Sequence, residues 1–211
     1  MVSGIEIAGL ISAIITIVDT AVDFYDAIKD LNGLPEAFGQ VHARLPLVRE
    51  ILLDAKRLAK DADEKEASAL KPVLENCQEK AEELKKIFLH IQDKSKDGAF
   101  VVSVYRAFVK SSKKSRVETL MQDILKDFQL LSTYAVFEAA KKKEEDIEKA
   151  RQEMAKVPPS LDDSDLDDKS GSTWNQSAGR DFFYNSGAGK LQYQGTSYEG
   201  HNLYIGTATP Q

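Results

Sequence analysis

Ser3-Gly4-Ile5-Glu6-Ile7-Ala8-Gly9-Leu10-Ile11-Ser12-Ala13-Ile14-Ile15-Thr16-Ile17-Val18 opens the chain and sets its class. Ser3 with Glu6 has the spacing of a capping box, in which the serine accepts from the backbone of residue 6 and the glutamate reaches back. Ile7, Ile11, Ile14, Val18, Ala21, Tyr25 and Ile28 then recur at steps of four and three, one face of a helix. Leu10, Ile17, Phe24 and Leu31 form a second face one position over. A helix apolar on two sides belongs at the centre of a bundle. Asn32-Gly33 ends it.

Further helices follow by the same reading. Pro35 suits a first helical turn. Phe38, Val41, Leu45, Val48, Leu52, Ala55 and Ala59 form a stripe, inside which Pro46 should kink the helix or split it. Asp63 and Glu66 start a third helix with the stripe Leu70, Leu74, Cys77, Ala81, Leu84, Phe88 and Ile91, where Pro72 lies near enough to the start to be tolerated. Val101, Val104, Tyr105 and Phe108 fit a short helix. Ser115 and Glu118 form a second capping box before Val117, Leu120, Met121, Ile124, Phe128, Leu131 and Ala135. That last helix is expected to run on, its stripe fading, so that Lys141 to Lys156 projects into water with Glu145 and Lys149 paired. The reading is therefore all-α: a bundle of four to five helices with a long last helix over residues 1–156.

Pro158-Pro159 closes the helical part. Residues 157–178 read as an acidic Ser/Asp-rich linker, too poor in apolar surface to order itself. Residues 179–211 are a different kind of sequence. Seven of the twelve glycines lie beyond residue 170, and no proline occurs between Ser160 and Thr209. Phe183, Asn185, Gly187, Gly189, Gln192, Tyr193, Gly195, Tyr198, Gly200, Asn202, Tyr204 and Gly206 alternate strand-capable, Asn/Gln and glycine positions. A stacked cross-β core uses such a string: amide ladders, stacked rings and glycine corners. The tail is expected to be disordered and amyloid-prone, gaining order when copies stack. A polar extension with no structural role is the competing reading.

Charge and composition exclude several classes. The net charge is −6, and residues 157–211 hold three basic against seven acidic side chains, so neither part offers a phosphate-neutralising surface and no nucleic-acid partner is expected. A single cysteine, Cys77, rules out an intrachain disulfide and suits a reducing, cytoplasmic setting. It falls in a core stripe, as a small hydrophobe rather than a nucleophile. His42, His90 and His201 lack metal-ligand neighbours at helical spacing, and Asp162 to Asp168 lacks the glycine and terminal glutamate of a calcium loop. Gly187-Ala188-Gly189-Lys190 fails as a phosphate-binding loop, because Tyr184 stands where its first glycine belongs and Leu191 where a hydroxyl residue belongs. No cofactor, metal or catalytic residue is expected, and nothing pairs a nucleophile with a base, so the chain reads as non-enzymatic.

The opening segment carries no basic leading stretch or cleavage site and is not expected to be a secretory signal. Up to Val18 it is also shorter than the ~20 residues that span a bilayer. Two readings of it stand side by side. Ile5, Ile7, Leu10, Ile11, Ile14, Ile15, Ile17 and Val18 are core positions of a bundle. Alternatively they form a membrane-active helix that leaves the bundle on activation, with Glu6 at the interface.

Three segments resemble the fungal SesA family, helical N-terminal domains of STAND-type receptors within the broader HeLo-like group. They are Gly4-Ile5 to Val18-Asp19; Gly33-Leu34-Pro35-Glu36-Ala37-Phe38 with Arg44-Leu45-Pro46-Leu47-Val48; and Val117-Glu118-Thr119-Leu120-Met121 with Ile124-Leu125 and Gln129-Leu130-Leu131. The resemblance covers about residues 1–140. It implies a role in fungal incompatibility and regulated cell death, and for related HeLo domains membrane permeabilisation through the first helix. Asn185-Ser186-Gly187-Ala188-Gly189-Lys190 with Gln192-Tyr193 looks like the sigma type of amyloid signalling motif, with Leu191 departing from its glycine-to-glutamine spacing. The implied partners are a STAND/NLR-type receptor carrying a similar motif, other copies of the tail, and a plasma membrane after activation. Without a nucleotide-binding module, the chain is expected to act as a stand-alone effector or adaptor.

Overall fold

The computed structural model describes residues 2–95, 100–166, 182–185 and 191–194. The chain divides into two units, Met1–Leu166 and Asp167–Gln211. The first is a helical bundle built from α1 (Gly4–Ile28), α2 (Glu36–His42), α3 (Leu45–Leu58), α4 (Glu64–Ser95), α5 (Val101–Ser112), α6 (Val117–Leu131), α7 (Glu138–Lys142), α8 (Glu144–Met154) and α9 (Asp163–Leu166). Tight 3-10 turns at Ala59–Asp61 and Ala135–Phe137 extend α3 and precede α7.

The two apolar faces of α1 place it at the centre, against α3 and α4. Ile7, Ile11, Ile14, Ile15, Ile17, Val18, Ala21 and Ile28 are buried from it, joined by Phe38, Leu52, Leu74, Phe88, Tyr105, Met121 and Phe128 from its neighbours. Each fully buried Ile, Leu or Phe contributes about 1.5–3 kcal/mol relative to exposure, so this shared core carries the fold.

Pro46 splits its helix. α2 stops at His42, and the proline sits in the first turn of α3, where its missing N–H leaves no gap in the ladder. Pro72 is not near a helix start as expected: it is the ninth residue of α4, which continues through it to Ser95. Pro72 and Ser68, whose carbonyl loses its N–H partner, are both exposed, so water can take that bond.

The expected long last helix is broken in three. The hydroxyls of Ser132 and Thr133 donate to the carbonyls of Gln129 and Leu130, closing the end of α6. The chain turns through Ala135–Phe137, and α8 then folds back onto α6 with Ile147, Ala150 and Met154 buried. Residues 141–156 therefore do not project into water, and the ion pair within α8 is Glu148–Arg151 (3.0 Å) rather than Glu145–Lys149.

The linker also starts later than expected. Ser160 and Leu161 are buried, α9 contacts α5, and the boundary between units falls after Leu166. In the second unit, β1 (Phe182–Asn185) pairs antiparallel with β2 (Leu191–Gln194). The register is Phe182↔Gln194, Phe183↔Tyr193, Tyr184↔Gln192 and Asn185↔Leu191. Strand pairing within one chain goes beyond the expectation of order on stacking alone. Gly187, Gly189, Gly195, Tyr198, Gly200, Asn202, Tyr204 and Gly206 lie outside the described residues.

Candidate functional site

The seat of α1 holds the residues that the sequence singles out in the first helix, and residues 157–166 form the end of the bundle that precedes the second unit. Ser3 caps α1 as the sequence predicts, accepting from the Glu6 amide at 3.2 Å. The other half of the box does not form. The Glu6 carboxylate crosses to α4 and accepts from Lys71 Nζ at 2.7 Å. That hydrogen bond, and the charge behind it, holds Glu6 below the ordinary carboxylate range and Lys71 above its own. Gly4 lies against the end of the Ala59–Asp61 turn so closely that a Cβ would sit 2.5 Å from the Ala59 carbonyl oxygen and 2.7 Å from that of Lys60. The positive end of the α1 dipole thus meets backbone carbonyls. Further along, Arg49 of α3 pairs with Asp19.

Of the residues singled out in α1, Ile7, Ile11, Ile14, Ile15, Ile17 and Val18 are buried, Leu10 is half-buried, and Ile5 stands 76% exposed. The apolar stretch does not end at Val18. α1 runs on through Ala21, Val22 and Phe24, and by length and composition it suffices to cross a membrane, contrary to the expectation that the run is too short. Its solvent side carries Gly9 and Thr16, flanked by the part-exposed Ser12 and Thr20, with carboxylates at Glu6 before them and at Asp19, Asp23 and Asp26 towards the C-terminal end. Ser12, Thr16 and Thr20 each donate to the carbonyl four residues back, at 2.7, 3.1 and 2.7 Å, so these hydroxyls satisfy themselves within the helix.

Beneath α1, Ile14, Val18, Cys77 and Leu84 with five further apolar residues enclose a cavity of about 10 Å³, at the lower limit for one water. Cys77 is buried, and that burial, with the Asp127 charge adding, pushes its thiol up to about 12. Asp127 itself accepts from Lys80 Nζ at 2.7 Å, yet its burial raises it above the usual carboxylate value. His42 stacks on Tyr25 (4.2 Å between centroids) and His90 on Phe108 (4.5 Å). Among the described residues no group of three or more His, Cys, Asp or Glu side chains is placed to hold a metal ion, and His201 lies outside them.

The root of the tail is held by a polar lock that the sequence reading missed. Glu118 does not form a capping box with Ser115. It is buried and accepts from both the amide (3.1 Å) and the hydroxyl (2.6 Å) of Ser160. Ser160 Oγ also meets Tyr105 Oη at 2.8 Å, and that oxygen accepts from the Val117 amide at 3.1 Å, satisfying the first amide of α6. Arg116 donates to the Leu161 carbonyl at 2.9 Å and pairs with Asp163, while Arg106 pairs with Asp165 at 3.2 Å. Two carboxylates of the acidic segment thus hold α9 down. One clue was legible in the sequence: Leu161 is an apolar residue between Pro158-Pro159 and a run of aspartates.

Within the tail, Phe183, Asn185, Gln192 and Tyr193 are brought together by the β1–β2 ladder. The loop Gly187-Ala188-Gly189-Lys190 lies outside the described residues.

No curated protein and no solved structure matches this chain. The family described as SesA, N-terminal domain on NACHT NTPases and P-loop NTPases, matches residues 11–131. That span begins inside α1, ends with α6, and covers more than half of the sequence. With the helical bundle just described, it places the protein: the chain belongs to the SesA family.

Proposed function

We propose that this protein is a non-enzymatic effector of fungal NLR-type signalling, acting in heterokaryon incompatibility and regulated cell death. In this reading a receptor with a similar motif templates residues 179–206 into a cross-β stack, copies of the bundle are crowded together, and α1 is released into a membrane. The protein is cytoplasmic at rest and reaches the plasma membrane on activation. The observation that carries the reading is the division of the chain into a SesA bundle ending at Leu166 and a separate unit whose described residues are strands. The self-satisfied hydroxyls on α1 add support, since a helix entering lipid must leave no polar group unpaired. The experiment is to seed the full chain with preformed fibrils of residues 175–211 beside dye-filled liposomes. Gain of cross-β diffraction together with dye release supports the proposal; soluble, unchanged protein sinks it.

A second reading has its own observation. Ile7, Ile11 and Ile14 are fully buried, so release of α1 requires the bundle to open. An adaptor in which the bundle stays closed and binds a partner helix, with the tail as a flexible tether, keeps that core intact. Seeding without dye release favours the adaptor.

A further inference from the structure

We propose that the β1–β2 hairpin is a lock on the tail's own assembly: the pairing within one chain must open before that chain can join a stack. The inference rests on the templating reading and adds a barrier to it. A strand offers two edges of N–H and C=O groups. In the resting chain the facing edges of β1 and β2 are bonded to each other over four register pairs, Phe182↔Gln194 to Asn185↔Leu191. In a stack of identical, in-register chains, each strand is bonded on both edges to the same strand of the copies above and below. Both arrangements claim the same backbone groups, so they exclude each other. Among the described residues each strand keeps one edge without a strand partner, enough to meet a growing fibril end but not to extend it.

Strand length sets the height of the barrier. Each strand has four residues. An isolated two-stranded hairpin is marginally stable at best in water. A fibril end, which offers a complete row of partners, can displace such a ladder, whereas two free monomers each hold theirs closed. Seeding is then fast and spontaneous conversion slow, as a signal that waits for its receptor requires.

The test closes the lock covalently in the full-length protein. Phe182→Cys with Gln194→Cys joins two register partners, neither of them among the candidate motif residues. Directly opposed antiparallel residues have Cα atoms about 4.5–5.5 Å apart, which suits a disulfide. Cys77 is buried and does not compete. The protein is oxidised with glutathione disulfide or kept reduced with a phosphine, then seeded with wild-type tail fibrils. The expected result is conversion at least roughly tenfold slower for the oxidised form, restored by reduction, because the cross-linked ladder cannot open. Equal rates for the two forms overturn the lock and make the closed hairpin the stacking unit. Phe182→Ser with Gln194→Ser, which cannot cross-link, separates damage from locking: damage from the substitutions appears as slower conversion than wild type in the serine pair and in the reduced cysteine pair alike, and locking in the oxidised cysteine pair alone. If wild type itself does not convert, the templating reading falls and takes the lock with it; if wild type converts while the oxidised and reduced forms do not differ, the lock alone falls.

Discussion

Tyr105 and Ser160, 55 residues apart, share a buried hydrogen bond of 2.8 Å at the root of the tail. Ser160 spends the same hydroxyl on Glu118, and Tyr105 spends its oxygen on the first amide of α6. Four polar groups that would each be costly to bury alone are thereby satisfied together. The bundle accordingly extends to Leu166, beyond both the proline pair and the span that matches the family.

Ser160→Ala leaves the Glu118 carboxylate and the Tyr105 hydroxyl short of a partner in a buried place. The expected loss is about 1–3 kcal/mol, read as a fall in Tm of about 2–4 °C per kcal/mol for a domain of this size. Ser164→Ala, at an exposed neighbour, should leave Tm unchanged. Truncation after Lys156 removes the buried Leu161 as well and should cost more than Ser160→Ala. Equal melting of all four proteins by circular dichroism would remove the lock from the account.

Two glycines of α1 should respond in opposite directions. At Gly4 an added methyl meets the Ala59 and Lys60 carbonyls at 2.5 and 2.7 Å, and backbone cannot give way cheaply. Gly4→Ala should destabilise by about 1–3 kcal/mol. At Gly9 nothing lies within 4 Å, so Gly9→Ala should gain about 0.5–1 kcal/mol from helix propensity. Urea midpoints of the two variants that move the same way would refute the close approach of α1 to the Ala59–Asp61 turn.

The pattern of these features shows what was legible. The stripes of α1, α3 and α4 were readable because helical periodicity is local, and Cys77 and Leu84 fall where spacing alone puts them. Glu118 was misread because Ser115-x-x-Glu118 is indistinguishable from a capping box until Ser160, 42 residues away, supplies a better partner. Ile147, Ala150 and Met154 do form a stripe at steps of three and four, but among so many charges it reads as fading. What hid it was the break at Ser132–Phe137, which depends on hydroxyl bonds to the preceding turn rather than on proline or glycine. The tail's strand capability was legible in its composition; its partner strand was not, because register is set by the pairing itself.

Alkaline pH should weaken the bundle. The Cys77 thiol is pushed from 9.0 to about 12 and the Tyr105 hydroxyl from 10.0 to about 12, both chiefly by burial. For each the folded value lies above the unfolded one, so the fold binds the proton more tightly. The stability this represents is complete below about pH 9 and is lost as pH climbs towards 12. Urea midpoints should fall steadily over that range. At neutral pH Cys77 should resist iodoacetamide in the native protein and react once urea unfolds it. Rapid alkylation of the native protein would contradict the burial of Cys77 beneath α1.

The membrane role of α1 can be separated from its structural role at one position. Thr16 lies at the middle of the helix from Gly4 to Ile28 and faces solvent. In the closed bundle Thr16→Lys places an ammonium in water and gives up only the hydroxyl bond to Ser12, so Tm should change little. In a bilayer the same position falls near the centre of the hydrocarbon, where a lysine costs about 2.5–3.5 kcal/mol even on the most lenient scale. Seeded Thr16→Lys should therefore convert to cross-β as wild type does while its dye release from liposomes drops by roughly 100-fold, the ratio that this energy sets. Ile11→Ala, which instead opens the core at about 2–5 kcal/mol, should lower Tm without introducing a charge and so ease release of α1. Dye release by Thr16→Lys equal to wild type would take α1 out of the membrane and place the permeabilising segment elsewhere in the chain.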